Sequence, residues 1–286
     1  NVSSLKDVET LSTYLDHAAT TSMHPEVLDA MRPWQETLFA NPSGSHRAAR
    51  TARKAVDEAR EVIAAELGVQ AVDVVFTGGG TESDNYAISG SVRARGGTAV
   101  CSAVEHHAVL DPVEHHAGRT VAVTADARID VDDLRCVLDS MTSAGQEVAV
   151  VSVMAVNNEV GSCNDIAEVA SVVRAHAPNA WLHTDAVQAA CWVDLSELTP
   201  HVDLLSLSAH KFGGPKGVGI MVVSNGVTPE PLMRGGGQER GRRSGTIDVA
   251  GAVGTATALH ITGSQRATVS QRVISLRDEL LDALTA

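Results

Sequence analysis

Short apolar runs alternate along the chain with longer stretches of helical periodicity. The apolar runs predict buried strands at 74–76, 98–102, 120–123, 148–154, 180–184, 203–208 and 219–223. Helical patterns lie between them, at 45–67, 81–95, 131–138 and 165–176. Strands that alternate with helices predict an α/β domain with a mainly parallel central sheet.

Apolar residues recur at helical spacing near the C-terminus as well. From Ser264 onward this pattern consists of Val269, Val273, Leu276, Leu280 and Leu284, with no Gly or Pro cap before Ala286. The spacing predicts a further helix that continues to the last residue given.

Unusual polar motifs follow five of the predicted strands. In chain order they are TGGGTESDN, EHH, NNE, DAVQ and SAHK. The carboxyl ends of parallel strands meet at one edge of a sheet, where loops and helix N-termini bind ligands. We therefore expect the five motifs to form one site.

Composition and charge limit the possible partners. The chain has 286 residues, of which 44% are hydrophobic, and a formal net charge of -13. This charge disfavours a nucleic-acid backbone or an anionic membrane as the main partner. Without a membrane-length apolar stretch or a signal-peptide pattern, a soluble cytoplasmic protein is expected. Four scattered cysteines, none in a CxxC pair, favour reduced thiols over a zinc ribbon or a disulfide framework.

Lys211, in SAHKFGGPKGVG, is the strongest candidate for covalent chemistry. It follows an apolar strand and precedes glycines and Pro215, which is an unusual place for a solvated lysine. A partly desolvated lysine has a lowered pKa and can attack an aldehyde to form a Schiff base. Ser208 and His210 lie close enough in sequence to reach a phosphate, whereas Lys216 lies in a turn and is expected to be solvated.

Two further motifs suit a phosphate and a charged heterocyclic ring. Gly80 and Thr81 lie where a glycine-rich turn opens a helix, so free N–H groups there suit a phosphate; an ordinary turn is the alternative. Asp185 can pair with a protonated ring nitrogen, and Gln188 can donate to a ring oxygen. Pyridoxal 5'-phosphate (PLP) presents both of these ring groups and an aldehyde for Lys211. The alternative for Asp185 is a helix cap.

Histidines and arginines supply the remaining candidates. A metal site in EHHAVLDPVEHH is disfavoured because its spacing is poor and Pro112 is expected to interrupt the helix. We expect His106 to stack on a planar ring and exchange protons. The glycine-rich loop around Arg240, Arg242 and Arg243 is positively charged in an otherwise acidic chain. Thr246 in this loop can donate to a phosphate, including one bound in a neighbouring subunit. A flexible exposed loop is the alternative.

Together the motifs closely resemble those of the NifS/IscS-type cysteine desulfurases, which are class V aminotransferase-like, fold-type I PLP enzymes. The resemblance rests on YLDHAATT, NPSGSH, FTGGGTESDN, VEHHAVL, VNNEVG, HTDAVQ, SAHKFGGPKGVG and GGGQERGRRSGT, in the family's order. It implies a PLP-dependent transferase large domain with helices flanking the sheet. GGGT replaces the more usual GAT, and Val187 replaces a common Thr, but neither change removes an essential group.

The resemblance also implies an activity and roles for individual residues. A homodimer takes sulfur from L-cysteine, releases L-alanine and passes a persulfide to an acceptor such as an iron-sulfur scaffold or a tRNA-thiolating enzyme. Lys211 is the Schiff-base lysine, and His106 stacks on the ring as an acid or base. The implied cofactor contacts are Gly80, Thr81, Asn158, Asp185, Gln188, Ser208, His210 and, across the dimer, Thr246.

The family pattern also predicts a division into domains. Residues 1–262 are expected to form the PLP-binding large domain, with 1–24 near the active site, and 263–286 a helix toward a C-terminal small domain absent from this chain. That domain carries the family's persulfide-forming cysteine, and none of Cys101, Cys136, Cys163 or Cys191 occupies its position. Selenocysteine lyase, another class V aminotransferase and a PLP-binding scaffold without catalysis stay open as alternatives.

Overall fold

A seven-stranded sheet forms the centre of the protein, whose computed structural model describes residues 13–285. Its strands are β1 (Val74–Thr77), β2 (Thr98–Ser102), β3 (Arg119–Val121), β4 (Val148–Ser152), β5 (Trp181–Asp185), β6 (Leu204–Ser208) and β7 (Gly219–Val223). The helices are α1 (Pro25–Glu36), α2 (Arg47–Leu67), α3 (Gly80–Arg95), α4 (His107–His115), α5 (Val131–Ser143), α6 (Ile166–His176) and α7 (Val249–Thr285).

The strands lie in the order β1-β7-β6-β5-β4-β2-β3. All pairs from β6 to β3 are parallel, and β7 alone runs antiparallel to its neighbours β1 and β6. Because β1 and β6 both oppose β7, the carboxyl ends of β1, β6, β5, β4 and β2 meet at one edge. The predicted α/β class with a mainly parallel sheet is confirmed.

Helices cover both faces of this sheet, as the apolar character of its strands requires. On one face, strand residues such as Val74, Phe76 and Val100 pack with α1, α2, α5, α6 and α7. On the other face, their neighbours Val75 and Ala99 pack with α3 and α4. Successive strand residues point to opposite faces, so a sheet covered on both sides needs runs that are apolar throughout.

Helix α4 corrects one expectation, because Pro112 lies inside it instead of interrupting it. Proline lacks the N–H that would bond the carbonyl of Ala108, four residues earlier. The side chain of Asn85 donates to that carbonyl over 3.4 Å, so the oxygen keeps a partner. No group of His, Cys, Asp and Glu residues suited to a metal ion is found within residues 13–285.

Helix α7 crosses the predicted boundary between residues 262 and 263 as one continuous element. Its buried residues all lie between Val249 and Leu259, where it packs against α1 and α2. The leucines of its second half are exposed. The division into domains therefore stays a prediction. Among the described helices, none combines the length and apolar character needed to cross a membrane.

A buried ion pair joins α2 to the arginine-rich loop. Arg60 donates to both carboxylate oxygens of Glu239 over 2.9 and 2.8 Å, and the same carboxylate accepts from the Phe76 N–H over 3.0 Å. Both side chains are almost fully buried, so removal of one partner leaves an uncompensated charge. The pair thus holds the loop against β1.

We expect Glu239→Ala to lower the free energy of unfolding by about 3–5 kcal/mol, measured by urea titration. The matched control is Glu58→Ala, since Glu58 pairs with Lys54 across 3.3 Å but has a 60% exposed side chain. That change should cost less than about 1 kcal/mol. Equal effects of the two variants would contradict the importance of the buried pair.

Candidate functional site

A cavity of about 280 Å³ opens at the edge where the five strand ends meet. Nine of the ten predicted site residues line it: Gly80, Thr81, His106, Asn158, Asp185, Gln188, Ser208, His210 and Lys211. The tenth, Thr246, is exposed and does not line it. The structure thus brings the predicted motifs together, while their roles toward a ligand stay predictions.

The N-terminus of α3 forms one end of the cavity. Gly79 precedes the helix with φ 148°, a backbone conformation that favours glycine. A Cβ atom added to Gly80 would lie 2.9 Å from Val187 Cγ2 and 3.3 Å from Ser208 Cβ, so only glycine fits without displacing these neighbours. The helix N-terminus and the Ser208 hydroxyl together suit a phosphate.

His210 borders the same end of the cavity as a hydrogen-bonding group. Its Nδ1 lies 3.0 Å from Thr20 Oγ1, and its backbone carbonyl accepts from the Thr21 hydroxyl over 2.8 Å. Burial lowers the pKa of His210, and the neighbouring Lys211 and Lys216 lower it further. The imidazole is therefore suited to contact an anion through a neutral N–H.

Asp185 ends β5 at the floor of the cavity. Its Oδ1 accepts from the Val187 N–H over 2.8 Å, which leaves Oδ2 for a group inside the cavity. Burial raises the pKa of Asp185, while the Val187 hydrogen bond, His106 and Lys211 act in the opposite direction. The site therefore favours a carboxylate that gains a positively charged partner.

Lys211 and Gln188 are held by the same backbone atom. The carbonyl of Ala18 accepts from Lys211 Nζ over 2.6 Å and from Gln188 Nε2 over 2.7 Å. Burial lowers the pKa of Lys211, although Asp185 and Asp16 raise it. A lowered pKa increases the fraction of neutral amine, which is the form that attacks a carbonyl.

The segment that supplies Ala18 was predicted to pack near the site. Residues 13–24 are described, and Ala19 lines the cavity, while residues 1–12 of the predicted segment lie outside the described residues. Thr20 and Thr21 hydrogen bond to His210 at the same place. The segment therefore forms one wall of the cavity.

His106 lines the cavity from the start of α4. Its Nδ1 accepts from the Ala108 N–H over 3.0 Å, so a proton on the neutral ring resides on Nε2. Asn158 lines the cavity from the loop after β4, where its amide donates to Glu159 Oε1 over 3.0 Å.

The arginine-rich loop contacts the first turn of α3, where the neighbouring Gly80 and Thr81 line the cavity. Arg243 pairs with Glu82 across 2.9 Å, and Glu82 in turn accepts from the Gly78 N–H over 2.8 Å. Arg242 is held at the carbonyl of Val72. Thr246 lies beyond these contacts, and its predicted donation to a neighbouring subunit's phosphate stays a prediction.

The four cysteines do not line the cavity. Cys101 is buried in β2, where burial raises the pKa of its thiol to about 12. Cys136 and Cys163 are exposed. Cys191 is half-buried behind the lysine, with its Sγ 3.4 Å from the Lys211 carbonyl. None of these thiols is placed to react with a group bound inside the cavity.

The sequence analysis assigned no individual role to several buried polar groups around the cavity. Asp84 lines it, and Glu105 and His183 lie buried close by. Helical periodicity offered a signal for Asp84, because residues 80, 81 and 84 share one face at the start of α3. His183 falls inside an apolar strand and gave no such signal.

Comparisons with known proteins agree with this geometry. A model of the aminotransferase class-V family matches residues 13–286. The IscS-like cysteine desulfurase of Mycobacterium tuberculosis is 44% identical over 96% of this chain and 71% of its own length. The cysteine desulfurase IscS of Dictyoglomus turgidum is 38% identical over 93% of this chain and 67% of its own length.

Solved structures show the same similarity. A NifS-like protein superposes with a TM-score of 0.91 at 33% identity, covering 96% of this chain and 76% of its own. DndA from Streptomyces lividans superposes with a TM-score of 0.80 at 35% identity, covering 96% of this chain and 78% of its own. A third structure, described as SspA in complex with cysteine, superposes with a TM-score of 0.78 at 34% identity, covering 87% of this chain and 72% of its own.

Proposed function

Since the chain belongs to the IscS/NifS-like cysteine desulfurases of the class V aminotransferase family, we propose that it uses PLP to remove sulfur from L-cysteine. The products are L-alanine and a persulfide: L-cysteine and a thiol R–SH give L-alanine and R–S–SH. The observation that carries the proposal is that Lys211 and Asp185 share one cavity with the α3 N-terminus.

The residues of the cavity fit this cofactor. Asp185 Oδ2 is available to a protonated ring nitrogen, and Gln188 is placed for the ring oxygen. The N-terminus of α3 at Gly80, together with Ser208 and His210, suits the phosphate. When bound, PLP supplies an electron sink that stabilises the carbanion character of the substrate as its bonds break.

The side chains of this chain then have distinct tasks. Lys211 would hold the cofactor covalently, and its lowered pKa supports that role. His106 would stack on the ring and move protons through Nε2, the atom that its hydrogen bond with the Ala108 N–H leaves free. Asn158, on the loop after β4, would contact the ring and the substrate. Thr246 would donate to the phosphate across the dimer.

We further propose that the accepting thiol is not one of this chain's four cysteines. None of them lines the cavity, and Cys101 holds its proton firmly in the core. On this proposal the chain binds PLP and L-cysteine by itself but needs a thiol from elsewhere to complete the transfer.

The proposal extends to the surroundings of the enzyme. We propose a cytoplasmic homodimer whose sulfur passes to an acceptor such as an iron-sulfur scaffold or a tRNA-thiolating enzyme. One structural neighbour, described as a complex with cysteine, supports the substrate class. The domain division at residues 262 and 263 belongs to the same proposal.

The test is to supply the purified chain with PLP and L-cysteine, with or without a small dithiol, and to quantify alanine and sulfide. Alanine and sulfide are expected in equal amounts when the dithiol is present, and at least tenfold less alanine without it. Lys211→Ala is the control for unspecific PLP chemistry. Turnover of selenocysteine with no turnover of cysteine would favour a selenocysteine lyase, and no turnover of either would favour a scaffold.

A further inference from the structure

Two carboxyl groups that line the cavity and a third buried close by form a cluster, of which the proposed chemistry uses only one. We refer to Asp84, Glu105 and Asp185 as the acid cluster. Their exposed fractions are 1%, 5% and 5%. Asp84 is the fifth residue of α3, Glu105 lies in the loop before α4, and Asp185 ends β5. Three negative charges in so small a buried space would repel each other strongly.

The three carboxyl groups differ in what compensates their charge. The negative charge of Asp185 is compensated by the hydrogen bond from the Val187 N–H and by the nearby His106 and Lys211. Glu105 Oε1 accepts a hydrogen bond from the Met154 N–H over 2.7 Å. Its other oxygen, Oε2, is buried with no hydrogen-bond partner among the described residues. Asp84 Oδ1 is likewise buried and unpartnered within residues 13–285. Asp185 is therefore the group best able to carry a charge.

The group nearest to Asp84 that could compensate its charge is His183, whose Nε2 lies 3.7 Å from Oδ1. Its ring nitrogens are engaged by two hydroxyls, Ser152 Oγ at 2.8 Å and Ser206 Oγ at 2.9 Å. Burial lowers the pKa of His183 to about 3, so the ring is neutral and supplies no counter-charge.

Most of the remaining influences on Asp84 raise its pKa. Burial raises its pKa, and the nearby Asp185 and Glu105 raise it further. The nearby Ser206 hydroxyl lowers it but does not reverse the direction. An ionised Asp84 would thus be a buried charge without a cation, which is among the most unfavourable arrangements in a protein interior.

We propose that Asp84 is a neutral carboxylic acid in the native protein and acts as a positioning residue that leaves the negative charge of the acid cluster on Asp185. One charge on Asp185 then faces one positive charge on the ring nitrogen. The match to a ring nitrogen rests on the proposed function, whereas the protonation of Asp84 is a property of the protein without cofactor.

The first test measures how the stability of the cofactor-free protein depends on pH. In the unfolded chain Asp84 ionises near 3.8, the ordinary pKa of an aspartate side chain, while in the native chain it keeps its proton. Unfolding then releases a proton, so the native state of the wild type loses stability as pH rises above about 4. Asp84→Asn removes this group from both states and leaves Glu105 and Asp185 in place.

Urea unfolding of both proteins between about pH 5 and pH 7 provides the comparison. The ratio of the wild-type unfolding constant to that of Asp84→Asn should rise about tenfold for each pH unit until the native carboxyl ionises. The matched control is Asp29→Asn, whose carboxyl is 72% exposed, and its ratio should stay flat. A flat ratio for Asp84→Asn would overturn the proposal.

The second test uses infrared spectra of protein labelled with carbon-13 in its aspartate carboxyls, recorded at about pH 7. The wild type should show a protonated aspartic acid band that disappears in Asp84→Asn and persists in Asp185→Asn. Absence of the band, or its loss in Asp185→Asn instead, would contradict the assignment. Because both tests use cofactor-free protein, they can succeed even where PLP binding and the proposed function fail.

Discussion

Lys211→Ala is expected to remove the visible absorption of the purified protein in the presence of PLP and to lower alanine formation at least on the order of a thousandfold. The variant lacks the amine that forms the covalent bond, although the phosphate and ring contacts persist. Lys211 lies in the cavity with its Nζ 2.6 Å from the Ala18 carbonyl, and burial lowers its pKa. The measurements are an absorption spectrum and a cysteine turnover assay.

Lys216→Ala is the matched control, because Lys216 is close in sequence but does not line the cavity. It should keep the visible band and activity within about threefold of the wild type. Borohydride reduction followed by peptide mass analysis should locate the cofactor on the peptide that contains Lys211. A normal band in Lys211→Ala, or its loss in Lys216→Ala alone, would refute the assignment.

The sequence predicted the strands well, since all seven apolar runs overlap observed strands. The helices were predicted less completely. Helix α7 begins at Val249 and not near Ser264, because its first half is rich in alanine and glycine and is buried against α1 and α2. Such a segment has no polar face, so amphipathic periodicity cannot reveal it. Helix α4 continues through Pro112, and the carbonyl that loses its helical partner there accepts a hydrogen bond from Asn85, a residue distant in sequence.

The site was predictable where side chains follow strands and unpredictable where it depends on sheet order. The motifs at the five strand ends share an edge because parallel strands direct their carboxyl ends to the same side. By contrast, Ser152, His183 and Ser206 contact each other only because β4, β5 and β6 are neighbours in the sheet. The contact between Lys211 and Ala18 uses the backbone carbonyl of Ala18, so the residue type at position 18 does not predict it.

Asp185→Asn is expected to lower the rate of alanine formation on the order of a thousandfold and to weaken PLP binding about tenfold to a hundredfold. The asparagine keeps the shape of the side chain and a partner for the Val187 N–H, which lies 2.8 Å from Oδ1 in the wild type. It removes the charge that keeps the ring nitrogen protonated, so the electron sink is weakened while the fold is preserved.

Cysteine turnover and a PLP titration followed by absorbance measure the two effects of Asp185→Asn separately. Asp194→Asn is the matched control, because Asp194 also follows β5 but its side chain is 51% exposed and lies outside the cavity. That variant should stay within about threefold of the wild type in both assays. Activity of Asp185→Asn within the same range would mean that the ring nitrogen works without a charged partner. The acid cluster would then have no catalytic reason to keep its charge on Asp185.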